Sequence, residues 1–326
     1  MLGFFGPLRM GVLGFLIALF FGACGAAPPR PTTTLQLPLT DYLPAGAHFV
    51  VVAAPSEVMA QPALAAVVGG LISAERFDAF RAHNGIDPRT LEALAYAEYQ
   101  DEEGRPLGTV LAIRGPFNAR VAVGEMAHRM IPVESENDEP YFRRGGVYAG
   151  ARRDAIAIDQ HTLVLVSGAP RLASEALDIA GSRALTGDGD ALLATLSGPV
   201  VVLFPRPLGL PLGSDLALLM ARERALALAV SGQGADSVAL RAEARGEFPP
   251  GIEDNLRTLV GSLAVTDLGH QLGMAELQRS LELALTPTGV SASGEVSSGT
   301  LLRGLRALLV AEISEIVGVE TLGAAP

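Results

Sequence analysis

The chain contains no lysine and no tryptophan, and it has a single cysteine. One thiol cannot form an internal disulfide, so the fold must rest on packing alone. Aromatic residues make up only 5% of the sequence, which argues against sites where sugars stack on aromatic rings. All 24 basic residues are arginines. In so alanine-rich a sequence, this reads as a coding bias rather than a functional choice. They are outnumbered by 35 acidic residues, giving a net charge of −11. Nucleic acid is therefore not an expected partner, because binding it requires basic groups to neutralise phosphates. An anionic bilayer surface would likewise repel the body of the protein.

Recognisable chemistry is equally scarce. His48, His83, His128, His161 and His270 never occur at the close spacings of helical zinc sites. No Gly-x-Ser-x-Gly elbow is present. Gly187-Asp-Gly-Asp190 and Gly232-Gln-Gly234 do not complete a phosphate-binding pattern and read as turns. The acidic stretches 101–103 and 134–139 offer oxygens, but not in the spacing of a calcium loop, and read as solvated. Arg143-Arg144 and Arg152-Arg153 can pair with that acidic stretch, meet an anionic partner or form a charged sheet edge. No catalytic, cofactor-binding or metal-ligating residue is therefore assigned, and no cofactor is expected.

The chain does have one long apolar run near its beginning. Arg9 precedes Met10–Phe21, and Gly22 and Ala23 follow with small side chains ahead of Cys24. A positive residue, roughly 7–15 apolar residues and small side chains at the cut are what a secretory signal requires. Phe21-Gly22-Ala23-Cys24 resembles the lipidation box of bacterial lipoproteins, with phenylalanine where leucine is usual. That resemblance covers only the first two dozen residues. It implies cleavage before Cys24, acylation of the Cys24 thiol and anchoring to a membrane through the acyl chains. The alternative is an uncleaved anchor, since the apolar stretch is near the lower limit for a spanning helix. Gly25 after the cysteine is not the aspartate associated with inner-membrane retention. The resemblance thus implies an outer-membrane lipoprotein on the periplasmic or surface side of the cell envelope.

The organisation expected after the signal peptide (residues 1–23) starts with a Pro/Thr-rich tether over 24–40. Short apolar or alternating runs predict strands at 48–53, 93–99, 108–114, 141–149, 155–159, 162–167, 199–204, 225–230, 238–244, 281–285 and 290–296. Helical spacing of apolar residues predicts helices at 64–72, 74–83, 118–130, 170–180, 215–222, 250–269 and 300–317. Phe77 and Phe80 are expected to be buried by the second of these, and Asn84-Gly85 to end it. Asp87 and Asn118 read as N-caps. The class is α+β, with antiparallel sheets and helices packed on one face.

Both halves read strand, helix, hairpin, helix, antiparallel strands, helix. Two arrangements satisfy that order: two α+β modules from an internal duplication, spanning 41–185 and 186–326, or one continuous sheet. In the first, helices 118–130 and 250–269 are equivalent, and both are buried along their apolar faces. An anchor signal joined to a body without a catalytic constellation points to a non-enzymatic binding, scaffolding or assembly role. The partner would be an unidentified envelope protein. A carrier with an apolar ligand held between sheet and helices is the second reading, and an envelope enzyme with a site assembled from distant residues is the third.

Overall fold

The computed structural model describes residues 37–129, 131–132, 142–148, 151–178, 185, 187–206 and 223–309. Segment 1–23, Cys24, most of the tether, the acidic stretch 134–139 and the helix expected at 215–222 lie outside the described residues.

Twelve strands are described: β1 (Phe49–Ala53), β2 (Ala93–Gln100), β3 (Pro106–Arg114), β4 (Ile131–Pro132), β5 (Phe142–Tyr148), β6 (Ala151–Ala157), β7 (Thr162–Gly168), β8 (Val200–Phe204), β9 (Glu223–Gln233), β10 (Ser237–Gly246), β11 (Glu282–Thr286) and β12 (Gly289–Ser297). They form one sheet in the order β11-β12-β10-β9-β8-β1-β2-β3-β7-β6-β5-β4. Every neighbouring pair is antiparallel. The α+β class is as expected, and the two halves share a single sheet.

The junction lies at the centre, where β1 pairs with β8 through Val50↔Leu203, Val51↔Val202, Val52↔Val201 and Ala53↔Val200. Moving outward from this pair, the order is β2, β3, β7, β6 on one side and β9, β10, β12, β11 on the other. Strand order therefore matches position by position between the halves, and β5 and β4 extend the first half only.

The α-helices among the described residues are α1 (Pro55–Ala60), α2 (Pro62–Leu71), α3 (Ala74–Asn84), α4 (Ala119–Ala127), α5 (Pro170–Leu177), α6 (Asp188–Thr195), α7 (Ile252–Ala264), α8 (Asp267–Leu272), α9 (Met274–Ser280) and α10 (Ser298–Leu309). Their starts and stops follow local chemistry. Asp87 accepts from Arg89 N–H to open the 3-10 turn Pro88–Thr90, and Asn118 accepts from Val121 N–H to cap α4. Gly85 ends α3 in the left-handed region at φ 68°.

Helices cover both faces, not one as expected. Phe49, Val51, Val200 and Val202 face a core with Val58 of α1, Leu64 and Val67 of α2, and Ala122 and Val123 of α4. Val50, Val201 and Leu203 face the other core, with Leu172 and Ala173 of α5, Leu192 of α6 and Leu39 and Leu43 near the start. The reason is legible in β1 and β8, whose uninterrupted apolar runs leave no polar side to face water. One expected core residue also falls outside: Phe77 is 5% exposed, but Phe80 of the same helix is 37% exposed.

The helices expected to be equivalent pack differently. Ala119, Ala122 and Val123 of α4 are fully buried, and α4 rests directly on β5, β6 and β7. The helix expected at 250–269 is two, α7 and α8, separated where Thr266 caps α8 by accepting from Gly269 N–H. α7 packs on α9 and edge strand β11. It buries Ile252 and Ala264, while Leu256, Leu259 and Val260 are half-buried and Leu263 is 39% exposed. The halves thus correspond in strand order and not in helix packing.

Candidate functional site

Strand β2 carries one acidic residue among apolar neighbours, in the sequence Ala-Leu-Ala-Tyr-Ala-Glu-Tyr-Gln. Glu98 shares a face with Leu94 and Tyr96, and in the sheet it lies between Phe49 of β1 and Thr109 of β3. It is 2% exposed. The Tyr96 hydroxyl donates to Glu98 Oε1 at 2.9 Å. His48, immediately before β1, donates its backbone N–H to the Glu98 carbonyl at 3.0 Å. Its ring Nε2 lies 3.6 Å from Glu98 Oε2. Glu98 Oε2 and His48 Nδ1 are buried and have no hydrogen-bond partner.

Electrostatics follow from this enclosure. Burial pushes the Glu98 carboxyl up to about 7, partly offset by the Tyr96 hydrogen bond, which favours the carboxylate. Burial also pushes the His48 imidazole down, against the Glu98 carbonyl, and the Arg206 guanidinium lowers it further. Tyr96 is raised, first by burial and then by the adjacent carboxylate. A buried acid, a histidine and a tyrosine with perturbed protonation meet the physical description of a functional-site candidate. The acid and the tyrosine are enclosed on the sheet and His48 is half-buried, with Phe49 stacked edge-on to Tyr96 at 6.5 Å and tilted against Phe204 at 5.2 Å.

A second charged cluster lies on the outer strands. Asp154 of β6 is 3% exposed; Arg143 Nη2 and Nε donate to its Oδ1 at 3.0 and 3.2 Å. Arg152 Nε donates to the other oxygen at 3.4 Å. Gly145 stands opposite, and a Cβ there would lie 2.5 Å from Asp154 Oδ1, so the glycine makes room for the carboxylate. Of the arginines for which the sequence leaves the acidic stretch, an anionic partner or a charged edge open, Arg143 and Arg152 have this buried aspartate as partner.

The remaining candidates take structural places. Asp101 closes the β2–β3 hairpin by accepting from the backbone N–H groups of Glu103 and Arg105 and from Arg105 Nε at 2.6 Å. Gly187 leads into α6, and Gly234 sits in the β9–β10 turn at φ 66°. His83 lies in the last turn of α3, His128 follows α4, and His270 is on α8. His161 sits in the β6–β7 hairpin, its Nδ1 3.2 Å from the Phe117 carbonyl oxygen. Among the described residues no group of three or more His, Cys, Asp or Glu side chains is placed to hold a metal ion. An open depression of about 380 Å³ is lined by Asn118, Arg120, Ala157, Ile158, Asp159 and Gln160, beside the start of α4. Cys24 lies outside the described residues. Among the described residues no helix is long and apolar enough to cross a membrane.

The sequence reading missed the His48–Glu98 contact because its partners are 50 positions apart. The signal available was the lone carboxylate in an apolar strand.

The described residues define an α+β protein built on one antiparallel sheet. No family model matches the chain, and no curated protein matches it. A solved structure described as "Structure of crystal form I of TP0453" superposes with a TM-score of 0.44, covering 84% of this chain and 98% of that one at 9% identity.

Proposed function

We propose that the chain is a membrane-anchored lipoprotein of the cell envelope, held by acyl chains on Cys24, whose sheet body serves binding, scaffolding or assembly. The observation that carries the proposal is the order of its first forty residues. An apolar run ends in Phe21-Gly22-Ala23-Cys24, a Pro/Thr-rich stretch follows, and the packed body begins with Leu39, Tyr42 and Leu43. This arrangement holds a folded body off a bilayer whose charge would repel it.

Two features of the body support binding at its surface rather than chemistry or carriage within it. The perturbed carboxyl of Glu98 is 2% exposed, so a substrate does not reach it without a change in the fold. Between sheet and helices the packing is dry and close: Val51, Leu64, Leu94 and Leu163 are each 0% exposed. On β10 and β12, exposed Arg241 and half-buried Ser291 and Ser293 share a face and offer polar groups to a protein partner.

Fractionation of cells carrying the natural chain or Cys24→Ala tests the anchor. The natural chain is expected with the membranes and without residues 1–23, and the variant is expected either to keep residues 1–23 or to leave the membranes. A variant that is cleaved before position 24 and still held by the membranes would overturn the proposal.

A further inference from the structure

The chain enters the sheet across β2, and the fastening has a titratable centre. Tyr99 donates its hydroxyl to the Pro44 carbonyl at 2.9 Å, and His48 donates its N–H to the Glu98 carbonyl at 3.0 Å. Gly46, between them, has φ 90° and lies against Arg206; a Cβ there would be 3.0 Å from its guanidinium. Inside this loop the Glu98 carboxyl has one oxygen satisfied by Tyr96 and the other, buried, facing His48 Nε2 at 3.6 Å without a hydrogen bond.

We propose that Glu98 and His48 form a proton-operated latch that fastens residues 44–48 to the central strand and releases them when the proton is lost. It does not depend on the lipid anchor. With a proton on the carboxyl, Glu98 accepts from Tyr96 through one oxygen and donates to His48 Nε2 through the other after a shift of a few tenths of an ångström. Both oxygens are then satisfied and no charge is buried. Without that proton, the carboxylate is buried beside Phe49 with neutral donors alone, the Tyr96 hydroxyl and the Nε2–H tautomer of His48, and no opposite charge. A buried charge without a countercharge is costly, and the nearest route to water is to lift the segment that carries His48.

The other groups around the pair reinforce this behaviour. Arg206, following β8, disfavours the imidazolium, so the histidine is not a ready source of compensating charge. Tyr96, on β2 itself, stays protonated because burial raises it. From β1 and β3 the neighbours in register are Phe49 and Thr109, neither of them charged. The carboxyl titrates near neutrality for the reason given above, and the latch therefore closes in mildly acidic solution and opens as the pH rises through neutral.

Hydrogen exchange of the full chain, read by mass spectrometry and corrected for intrinsic rates, tests this. Between about pH 6 and about pH 8.5 the protection of amides 45–49 is expected to fall by about tenfold, while β3 amides hold theirs. Glu98→Gln, an uncharged mimic of the protonated acid, should abolish the pH dependence. Tyr96→Phe removes the donor that favours the carboxylate, so it should move the release to higher pH. Equal protection of the natural segment at both pH values would overturn the latch, whether or not either variant folds. So would a loss that persists in Glu98→Gln, or a Tyr96→Phe midpoint that stays in place or moves down.

Discussion

Val51 and Val202 face each other across β1 and β8, at the centre of the sheet and at the strand pair that joins its halves. Val51 is 0% exposed and Val202 4%. Helix packing on both faces covers this seam, so the halves are expected to unfold together. Val202→Asp would place an unpaired carboxylate there and should cost about 3–5 kcal/mol. It should lower hydrogen-exchange protection in β2 as much as in β9. Two separate unfolding transitions, with β2 unaffected, would contradict a single cooperative sheet.

The Asp154 cluster gives a second test. Its carboxylate is buried and shared by two arginines, so Asp154→Ala should cost about 3 kcal/mol, measured by urea unfolding. Gly145→Ala pushes a methyl against the same oxygen and should cost about 1–3 kcal/mol. Arg105→Ala, at a side chain that is 72% exposed, should change stability by no more than about 0.5 kcal/mol. Equal costs at all three positions would remove the distinction between buried and exposed pairs.

Glu98 makes stability depend on pH with a definite sign. Its folded carboxyl titrates at about 7 against an ordinary 4.5, so the folded state holds the proton more tightly than the unfolded chain does. Its contribution is fully present below about pH 4.5 and is lost as the pH rises to about 7, by about 3 kcal/mol over the whole window. His48 acts in the opposite direction, because its lowered imidazole costs stability as the pH falls below about 6.5. Glu98→Gln should therefore raise the melting temperature at pH 8 and leave it nearly unchanged at pH 5. A variant less stable than the natural chain at pH 8 would contradict this.

Along α7, depth rather than hydrophobicity sets the cost. Ile252 is 2% exposed, and Ile252→Ala should cost about 2–4 kcal/mol. Leu256→Asp, at a half-buried position, should cost less than about 2 kcal/mol. Val265, just beyond the helix, is 79% exposed, and Val265→Asp should be neutral within about 0.5 kcal/mol. Denaturant midpoints in any other order would contradict the packing described for this helix.

Local chemistry made much of the fold legible. The Asp87 and Asn118 caps and the Gly85 stop each depend on a few neighbouring residues, and each stands where expected. The number of faces covered is legible too, in the unbroken apolar runs of β1 and β8. Packing depth was not legible. The apolar stripe of α7 resembles that of α4, yet one rests on another helix and an edge strand while the other lies flat on the sheet. Amphipathicity gives the direction a helix faces and not what lies beneath it. Partnerships such as His48 with Glu98 and Arg143 with Asp154 depend on strand register, which short-range spacing does not specify.

The central claim concerns Cys24, and mass spectrometry of the N-terminal peptide from membrane-extracted protein tests it most directly. The peptide is expected to begin at Cys24 and to carry the added mass of a diacylglyceryl group and an acyl chain. Residues 1–23 still attached, or an unmodified Cys24 thiol, would contradict it.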